Sequence, residues 1–581
     1  MTAAPTHRHS FRGTVLARRA LAAALLLGAI LGVLAGCGSS GTSSGTDADP
    51  ALLTPASAPI YAGAIVRPEG QQKAAAVAAG RLLTHEADPY LRLLAALQTP
   101  GSPTLEFKRD VAPWLGPRAA VFLGSLATTG RSGVAQLLTL LKEALLGGPS
   151  AAHPFLFATG GVQGAIVLDT TDAAKARSFL QSQAARAGAH AVSYRGITYQ
   201  ATPGGVALGL VDRFAVLGSE SGLRSVIDTA KGGPSLAHAG GYATLLASAP
   251  HGALAHLYAN AGASAAASGM LALLAGTRET NVSLLASASS VVLDADSLAP
   301  TPSGGSGGLL SSSAQGAAAL AELPGESWLA AGLGDLSASL GQAVQGLRGL
   351  LSLGGSSSEG STSSTLNVKG LLEGLLKPLS VLGANSAQAR RDFASWMGSA
   401  GIFAAGAGLL ELKAGVVIAS KDPALSRAAV SKLAGALRKA GGSVQSVSIP
   451  ATDAAVAAHL TGLPVVLDIA DGRGASGQWR FVLGIGEASV VDALNPSSTL
   501  SGSAPYAAAA SALGEGARPS VTLDFPTLLS LIEGVGLSED PTISQFVPYL
   551  RRITTLAGGG HSLGGGVERM KLVLGLQQAD G

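Results

Sequence analysis

The sequence contains a single cysteine in 581 residues. One cysteine excludes an intramolecular disulfide framework and any metal site built from several cysteines. Charged residues make up 13% of the chain, about half the usual share, whereas disordered proteins combine high net charge with low hydrophobicity. Phe, Trp and Tyr together make up only 4%, which argues against a nucleic-acid binder that stacks bases on aromatic side chains.

Long apolar runs are also missing after residue 36. A membrane-spanning helix needs about 18 or more uninterrupted apolar residues. The best later stretch, residues 399–420, is broken by Glu411 and Lys413. Residues 1–36 differ, because they carry four arginines and no acid and contain the apolar run 20–33. A basic start, an apolar run and small residues in this order are typical of a secretory signal peptide.

The apolar run closes on Leu34-Ala-Gly-Cys37, which resembles a bacterial lipobox. That resemblance implies cleavage between Gly36 and Cys37 and lipidation of Cys37, and two or three acyl chains anchor a protein stably. An uncleaved transmembrane anchor is the alternative interpretation, and the pair Arg18-Arg19 leaves a twin-arginine export route open. We therefore expect a lipid-anchored protein on the extracytoplasmic face of a bacterial cell membrane.

The basic character of the chain belongs to this leader. Removing residues 1–36 deletes four of the 39 Lys and Arg residues and none of the 36 Asp and Glu residues, so the formal charge falls from +3 to −1. A nearly neutral body gives no electrostatic footprint for nucleic acid or for a polybasic lipid-binding patch. The N-terminal lipid is the membrane contact that the sequence predicts, and nucleic acid is not expected as a partner.

Composition divides the chain into five parts, since the glycines and serines are concentrated in a few stretches. We expect a signal peptide (1–36), a Gly/Ser tether (37–50), a first repeat (51–300), a Gly/Ser linker (301–317) and a second repeat (318–581) with a low-complexity loop near 352–365.

Two repeats are predicted because similar segments recur in the same order. Arg109-Asp110 with Trp114 recurs as Arg391-Asp392 with Trp396. Three further matches are weaker. Residues 164–168 with Asp172 and Arg177 match 415–418 with Asp422 and Arg427, and residues 214–217 before Tyr242 match 488–491 before Tyr506. Residues 257–260 match 523–524 with the helix that follows.

Short β-like runs alternate with helix-like segments in both parts of the chain. We predict strands at 60–66, 118–124, 164–169, 191–200 and 206–217, and helices at 71–83, 134–146 and 172–187. In the second part, Asp422-Pro423 predicts a helix start, Gly441-Gly442 its end, and 464–470 with 478–484 a β-hairpin. The fold class expected is α+β, with two tandem, divergent repeats that each contain a mostly antiparallel sheet and packed helices.

Several phrases resemble a known family. They are residues 55–70, Arg109-Asp110 to Gly116, residues 214–222 and Leu323-Pro-Gly-Glu-Ser-Trp328. Together they are similar to the bacterial family known as domain of unknown function 3352, over most of residues 52–581. The resemblance implies an extracytoplasmic protein without an established activity, and it supplies no catalytic residues.

The two Arg-Asp-Trp sets are the most distinctive polar and aromatic features: Arg109, Asp110 and Trp114, and Arg391, Asp392 and Trp396. An Arg–Asp pair beside a Trp fixes a loop against the core when the indole is buried and its N–H is bonded. The alternative is a pair of Trp-lined ligand sites, one in each repeat.

No complete catalytic motif is present. Gly560-His-Ser562-Leu-Gly564 spells a nucleophile elbow, but a strand rather than a helix is predicted after it and no His follows Ser562. The residues Gly472 to Gly477 spell a dinucleotide-binding fingerprint, but they connect two predicted strands. Asp294-Ala-Asp296 is expected to end a strand in a polar turn, with a metal-dependent sugar-transfer site as the alternative. The histidines are scattered, so neither a metal nor a cofactor is predicted.

These features together favour a non-catalytic binding or scaffold role at the cell envelope, with an envelope protein as the expected partner. A carrier or sensor of an apolar envelope ligand such as a lipid is the alternative, because abundant Ala, Leu and Val could line a cavity. A hydrolase built on Ser562 is the remote alternative.

Overall fold

The computed structural model describes residues 49–84, 105–126, 162–260, 279–287, 289–298, 314–334, 336, 392–408, 411–439, 441–459, 465–534 and 547–577. Within these ranges the chain forms one antiparallel sheet of 20 strands, with helices packed on it. The expected α+β fold with a mostly antiparallel sheet is confirmed. The predicted helix at 134–146 and the low-complexity stretches lie outside the described residues.

Ten strands of the described residues form the first half of the sheet. They are β1 (Ile60–Ile65), β2 (Leu115–Leu126), β3 (Val162–Thr170), β4 (His190–Tyr194), β5 (Ile197–Ala201), β6 (Val206–Val211), β7 (Phe214–Ser219), β8 (Ala255–Asn260), β9 (Glu279–Ala286) and β10 (Ser290–Leu298). Their order in the sheet is β4-β5-β6-β7-β3-β2-β1-β8-β9-β10.

The second half also has ten strands among the described residues. They are β11 (Ser327–Leu333), β12 (Met397–Ala405), β13 (Lys413–Ser420), β14 (Ser443–Ser446), β15 (Thr452–His459), β16 (Val466–Arg473), β17 (Trp479–Ile485), β18 (Arg518–Asp524), β19 (Ile553–Gly564) and β20 (Val567–Leu576). Their order is β14-β15-β16-β17-β13-β12-β11-β18-β19-β20. Strand β10 pairs with β20, so the last strands of the two halves lie side by side.

The helices follow the same strands in both halves. They are α1 (Gly70–Thr84), α2 (Ala173–Arg186), α3 (Glu220–Ala230), α4 (Gly240–Ser248), α5 (Ala314–Ala321), α6 (Pro423–Lys439), α7 (Glu487–Leu494), α8 (Ala504–Leu513), α9 (Phe525–Gly534) and α10 (Val547–Leu550). Helix α2 follows β3 as α6 follows β13, and α3 and α4 follow β7 as α7 and α8 follow β17. No helix in the described ranges is both long and apolar enough to cross a membrane.

Two predicted strands are each divided by a tight turn. The run 191–200 forms β4 and β5, because Arg195 and Gly196 adopt positive φ angles of 49° and 80° and reverse the chain. The run 206–217 forms β6 and β7, with Asp212 at φ 51° in the turn. Two residues with positive φ suit a hairpin turn, and hydrophobic periodicity alone does not mark such a turn inside a β-rich run.

Helix α6 begins and ends as its sequence predicts. The Asp422 carboxylate accepts hydrogen bonds from the backbone N–H groups of Ala424 and Leu425, at 3.0 and 3.1 Å. Pro423 occupies the first helical position, where no N–H is needed, and Gly441 ends the helix region with φ 90°. The hairpin β16–β17 is also confirmed, with residues 474–478 at its tip.

Glycine permits close packing between helix α3 and the sheet. A Cβ on Gly222 would lie 2.1 Å from the Gly164 carbonyl oxygen, and a Cβ on Gly218 would lie 2.3 Å from the same oxygen. Any larger residue at either position would push the helix or strand away from β3. These glycines therefore allow the backbones of β7 and α3 to contact the backbone of β3 directly.

One sequence match between the halves is wrong. Residues 488–491 were matched to the strand residues 214–217, but they lie in helix α7. Gly486 has φ 73° and ends β17 one residue before the helix begins. The place of β7 in the second half is taken by β17, while α7 takes the place of α3.

Candidate functional site

The first Arg-Asp-Trp set lies where the chain enters strand β2. Residues Phe107–Val111 form a single π-helical turn, and the Trp114 indole N–H donates to the Asp110 carbonyl at 2.8 Å. The Thr171 N–H donates to the Trp114 carbonyl at 2.8 Å, which joins this segment to the end of β3. Trp114 is 1% exposed and packs on Phe179 of helix α2, with ring centroids 5.1 Å apart.

The carboxylate of Asp110 accepts three hydrogen bonds. Arg109 donates two through its Nε and Nη2 atoms, at 2.7 and 2.8 Å, and the Glu106 backbone N–H donates one at 2.8 Å. The hydrogen bond from Arg109 is the main reason why the pKa of Asp110 lies below its usual value. The two hydrogen bonds hold the Arg109 guanidinium and the Asp110 carboxylate in a bidentate pair on the surface of the loop.

The second set repeats this backbone geometry. The Trp396 indole N–H donates to the Asp392 carbonyl at 3.0 Å, and the Lys421 N–H donates to the Trp396 carbonyl at 2.8 Å. Trp396 is fully buried and packs on Phe481 of β17, with ring centroids 5.1 Å apart. Arg391 lies outside the described residues.

A cleft of about 320 Å³ opens beside the first set, between residues 105–114 and helix α2. Trp114 and Phe179 give its floor apolar character, and both are buried. The lining residues are Leu105, Arg109, Asp110, Pro113, Trp114, Lys175, Ser178, Phe179, Ser182, Gln183 and Arg186. Most of the lining is therefore polar, and the two aromatic rings are largely covered.

Cations surround the opening of this cleft. Arg109 is bound to Asp110, and Lys175 pairs with Asp172 at 3.1 Å. Arg186, in the last turn of α2, is exposed and forms no salt bridge within the described part of the chain. Its charge helps to lower the pKa of Asp110, and its exposed guanidinium can also reach an anion that enters the cleft.

The corresponding place in the second half is spanned by an ion pair. Lys432 of α6 donates through Nζ to Asp392 Oδ1 at 2.6 Å. Lys432 lies ten residues after the capping residue Asp422, and Ser182 lies ten residues after the capping residue Asp172. Ser182 in the first half thus occupies the helix position that Lys432 occupies in the second half, and its side chain is shorter than the lysine that binds Asp392.

Sequence reasoning found Arg109, Asp110 and Trp114 but missed the wall that helix α2 supplies. The missed positions, 175, 178, 179, 182 and 186, follow the spacing i, i+3, i+4, i+7 and i+11, which places them on one helical face. That spacing was readable from the sequence. The approach of this face to the 105–114 segment was not, because it depends on how β2 and β3 pair.

The other motifs fall in structural roles. Ser562 lies near the end of β19 and a strand follows it, so the strand-to-helix elbow of a hydrolase is absent there. Asp294 and Asp296 lie within β10 and are buried, so the expected polar turn is wrong. Among the described residues, no three His, Cys, Asp or Glu side chains gather as metal ligands. Gly36 and Cys37 lie outside the described residues.

Comparisons with known proteins give one extensive match. The model of a family described as "Protein of unknown function (DUF3352)" matches residues 20–554. No curated protein matches the chain. A solved structure titled "Structure of crystal form I of TP0453" is similar at 10% identity and a TM-score of 0.24, over 43% of this chain and 79% of that one. At that TM-score the likeness carries no argument.

Proposed function

The chain belongs to this family of proteins of unknown function, and from that premise we propose that it is a non-catalytic binding protein held at a bacterial membrane by a lipid on Cys37. The basic and apolar leader, the Leu-Ala-Gly-Cys ending and the nearly neutral body support an extracytoplasmic location.

The tether limits how far the body can stand from the membrane. Eleven residues lie between Cys37 and Asp49, and a fully extended chain over these twelve steps spans at most about 40 Å. Asp49 belongs to the folded body, because its carboxylate caps the turn Pro50–Leu52, and Ala51 and Thr54 are buried. A lipid on Cys37 would therefore keep the first half of the sheet close to the lipid surface.

We also propose that the two halves are divergent repeats. The identical strand order in each half supports this, as do the two Trp-to-Asp hydrogen bonds at corresponding places. The ligand-binding role falls to the first half, because the second half places the Lys432–Asp392 ion pair where the first half has its cleft.

The cleft beside Trp114 is the observation that carries the binding function. The Trp114 and Phe179 rings at its floor and the exposed guanidinium of Arg186 beside it suit a small anion that bears an apolar group. A volume of about 320 Å³ lies at the lower end of the range for small-molecule sites. The ligand would lay its apolar part on the rings and its anionic part against the cations of α2.

Replacing Arg186 with glutamine tests this assignment. We expect Arg186→Gln to weaken the binding of naphthalenesulfonate, an anionic aromatic probe, by about ten-fold or more, because a charged hydrogen bond contributes about 1.5–3 kcal/mol. Calorimetric titration of the purified body measures this change. The neutral sulfonamide of the same ring system should bind weakly to both proteins.

Arg177→Gln is the matched control, because Arg177 lies on the same helix, is exposed and does not line the cleft. It should leave the affinity unchanged. Equal weakening by both substitutions, or no binding of the anion to the unaltered protein, would contradict the assignment. If the neutral probe binds as tightly as the anion and Arg186→Gln changes neither, the site instead takes an apolar ligand.

The absence of a catalytic role is part of the proposal, and Ser562 is the residue that could overturn it. It lies on the exposed end of β19, with the His561 Nδ1 buried and unpartnered beneath the surface. We expect a fluorophosphonate probe to leave Ser562 unlabelled, as judged by mass spectrometry of the treated protein. Labelling that is lost in Ser562→Ala would establish a reactive serine.

A further inference from the structure

A row of polar side chains crosses the joint between the two halves. Strands β10 and β20 pair from Ser290 opposite Gly575 to Leu298 opposite Val567, and Asp294 faces Lys571 at the middle of this ladder. Directly paired residues point to the same face of a sheet. We call the polar residues on that face the polar seam: Asn281, Ser283, Asp294, Asp296, His561, Arg569 and Lys571.

Three atoms of the polar seam are buried without a hydrogen-bond partner. They are Asn281 Oδ1, Asp294 Oδ1 and His561 Nδ1. Asn281 is 1% exposed and Asp294 is 3% exposed, so bulk water does not hydrate these side chains freely. A buried polar atom without a partner costs about 1–3 kcal/mol, and three of them at one joint form an unusual concentration of unmet hydrogen bonds.

The neighbouring cations do not form an ion pair with Asp294. Lys571 faces it across the ladder, but its Nζ donates to the Leu513 carbonyl, at the end of helix α8, at 2.9 Å. Arg569 donates through two nitrogens to Asp296, at 2.7 and 2.8 Å. The carboxyl group of Asp294 thus lies at the joint without a direct counter-ion.

The groups around Asp294 can be named element by element. Strand β10 contributes Asp296, β20 contributes Arg569 and Lys571, and β19 contributes His561. Strand β9 carries its only acid, Glu279, at its first residue, and helices α4 and α8 contain no acidic or basic side chain. Burial is the largest effect and raises the pKa of Asp294, while Lys571, Arg569 and His561 lower it and Asp296 raises it.

We propose that Asp294 is a proton-binding site in the joint between the two halves, and that its protonation tightens the β10–β20 ladder. A neutral carboxyl group avoids the cost of a buried charge and gains an O–H donor. Ser283 lies directly opposite Asp294 on β9, and Asn281, whose Oδ1 lacks a donor, lies one pair further along the same face. The closed ladder holds the proton more strongly than the opened ladder, in which Asp294 is hydrated. Acidification therefore favours the closed joint, and this stabilisation is lost as the pH rises through the value at which the buried group ionises.

Asp294→Asn tests the proposal, because asparagine has the shape of the protonated residue and does not titrate. Hydrogen exchange of the β10 and β20 amides in the full chain, corrected for intrinsic exchange rates, measures how often the ladder opens. At pH 7 we expect these amides to open about ten-fold more often in the unaltered protein than in the variant, and at pH 4 within a factor of two. The same ratio at both pH values would overturn the proposal.

Asp212→Asn is the matched control, since Asp212 lies in the exposed turn between β6 and β7. It should leave the opening of the β10–β20 ladder unchanged at either pH. If Asp294→Asn does not fold, Asp294→Ser provides the second non-titrating variant, and the ratio of ladder opening in the unaltered protein to that in this variant should again be larger at pH 7 than at pH 4. Persistence of the pH dependence in both variants would assign it to another group.

Discussion

Replacing Arg569 with alanine is expected to lower the free energy of unfolding by about 3–5 kcal/mol, because it leaves a buried carboxylate without its partner. Arg569 and Asp296 lie opposite each other on β20 and β10 and bind through two hydrogen bonds, with 14% and 1% of their side chains exposed. Arg569 also donates to the Ser248 carbonyl at the end of helix α4. One side chain thus joins both strands of the joint to a helix of the first half.

Urea unfolding at pH 7 measures this effect. Arg551→Ala is the matched control, because the Arg551–Glu533 pair has a similar length of 2.8 Å but is 64% and 39% exposed. An exposed pair contributes about 1 kcal/mol or less. If Arg569→Ala costs no more than Arg551→Ala, the buried pair does not stabilise the joint.

A double replacement separates the loss of the pair from the cost of an unpaired charge. Arg569→Met combined with Asp296→Leu removes both charges and fills the space with apolar groups. Because well-packed apolar residues can replace a buried ion pair at little cost, we expect the double variant to be more stable than Arg569→Ala. A double variant as unstable as the single one would mean that the ion pair itself is required.

This joint also marks the limit of what the sequence predicts. Arg569 and Asp296 are 273 positions apart, and no local pattern indicates that β10 and β20 are neighbours. Asp294-Ala-Asp296 was therefore interpreted as the polar end of a strand. The strand continues to Leu298 because the arginine across the ladder makes a buried carboxylate tolerable.

Features that depend on nearby residues were predicted more successfully. The start of helix α6 at Asp422-Pro423 and the antiparallel pairing of β16 with β17 follow from caps and turns within the segment itself. Trp114 was recognised for the same reason, since its partner Asp110 is four residues away. The wall of the cleft on α2 was missed, because it requires the pairing of two strands that are distant in the sequence.

The second large effect concerns a partly buried histidine of the first half. His256 lies on β8, its Nε2 is 3.0 Å from the Tyr242 hydroxyl, and Tyr61 packs against both rings. Gly63 on the adjacent strand makes room for the imidazole, because a Cβ there would lie 2.8 Å from its Cε1. Burial lowers the pKa of His256 from 6.5 to about 4, since this environment cannot hydrate an imidazolium.

A histidine whose pKa is lowered by folding makes the protein less stable in acid. Above pH 6.5 His256 is neutral in both states, so its full contribution is present. As the pH falls from 6.5 to about 4, the unfolded chain binds a proton that the folded chain does not, and stability decreases by about 3 kcal/mol. Below about pH 4 both states bind the proton, and the loss from this group ends.

His256→Gln tests this expectation, because glutamine can keep a hydrogen bond to Tyr242 but does not titrate. We expect the difference in unfolding free energy between the unaltered protein and the variant to change by about 3 kcal/mol between pH 7 and pH 4, in the direction of a relatively more stable variant in acid. Taking the difference removes the contribution of Asp294, which has the opposite sign because its pKa is raised.

The same substitution at His190, exposed on β4, should leave the pH dependence unchanged. If the unfolding free energies of His256→Gln and of the unaltered protein change equally from pH 7 to pH 4, the acid sensitivity does not come from the His256 imidazole.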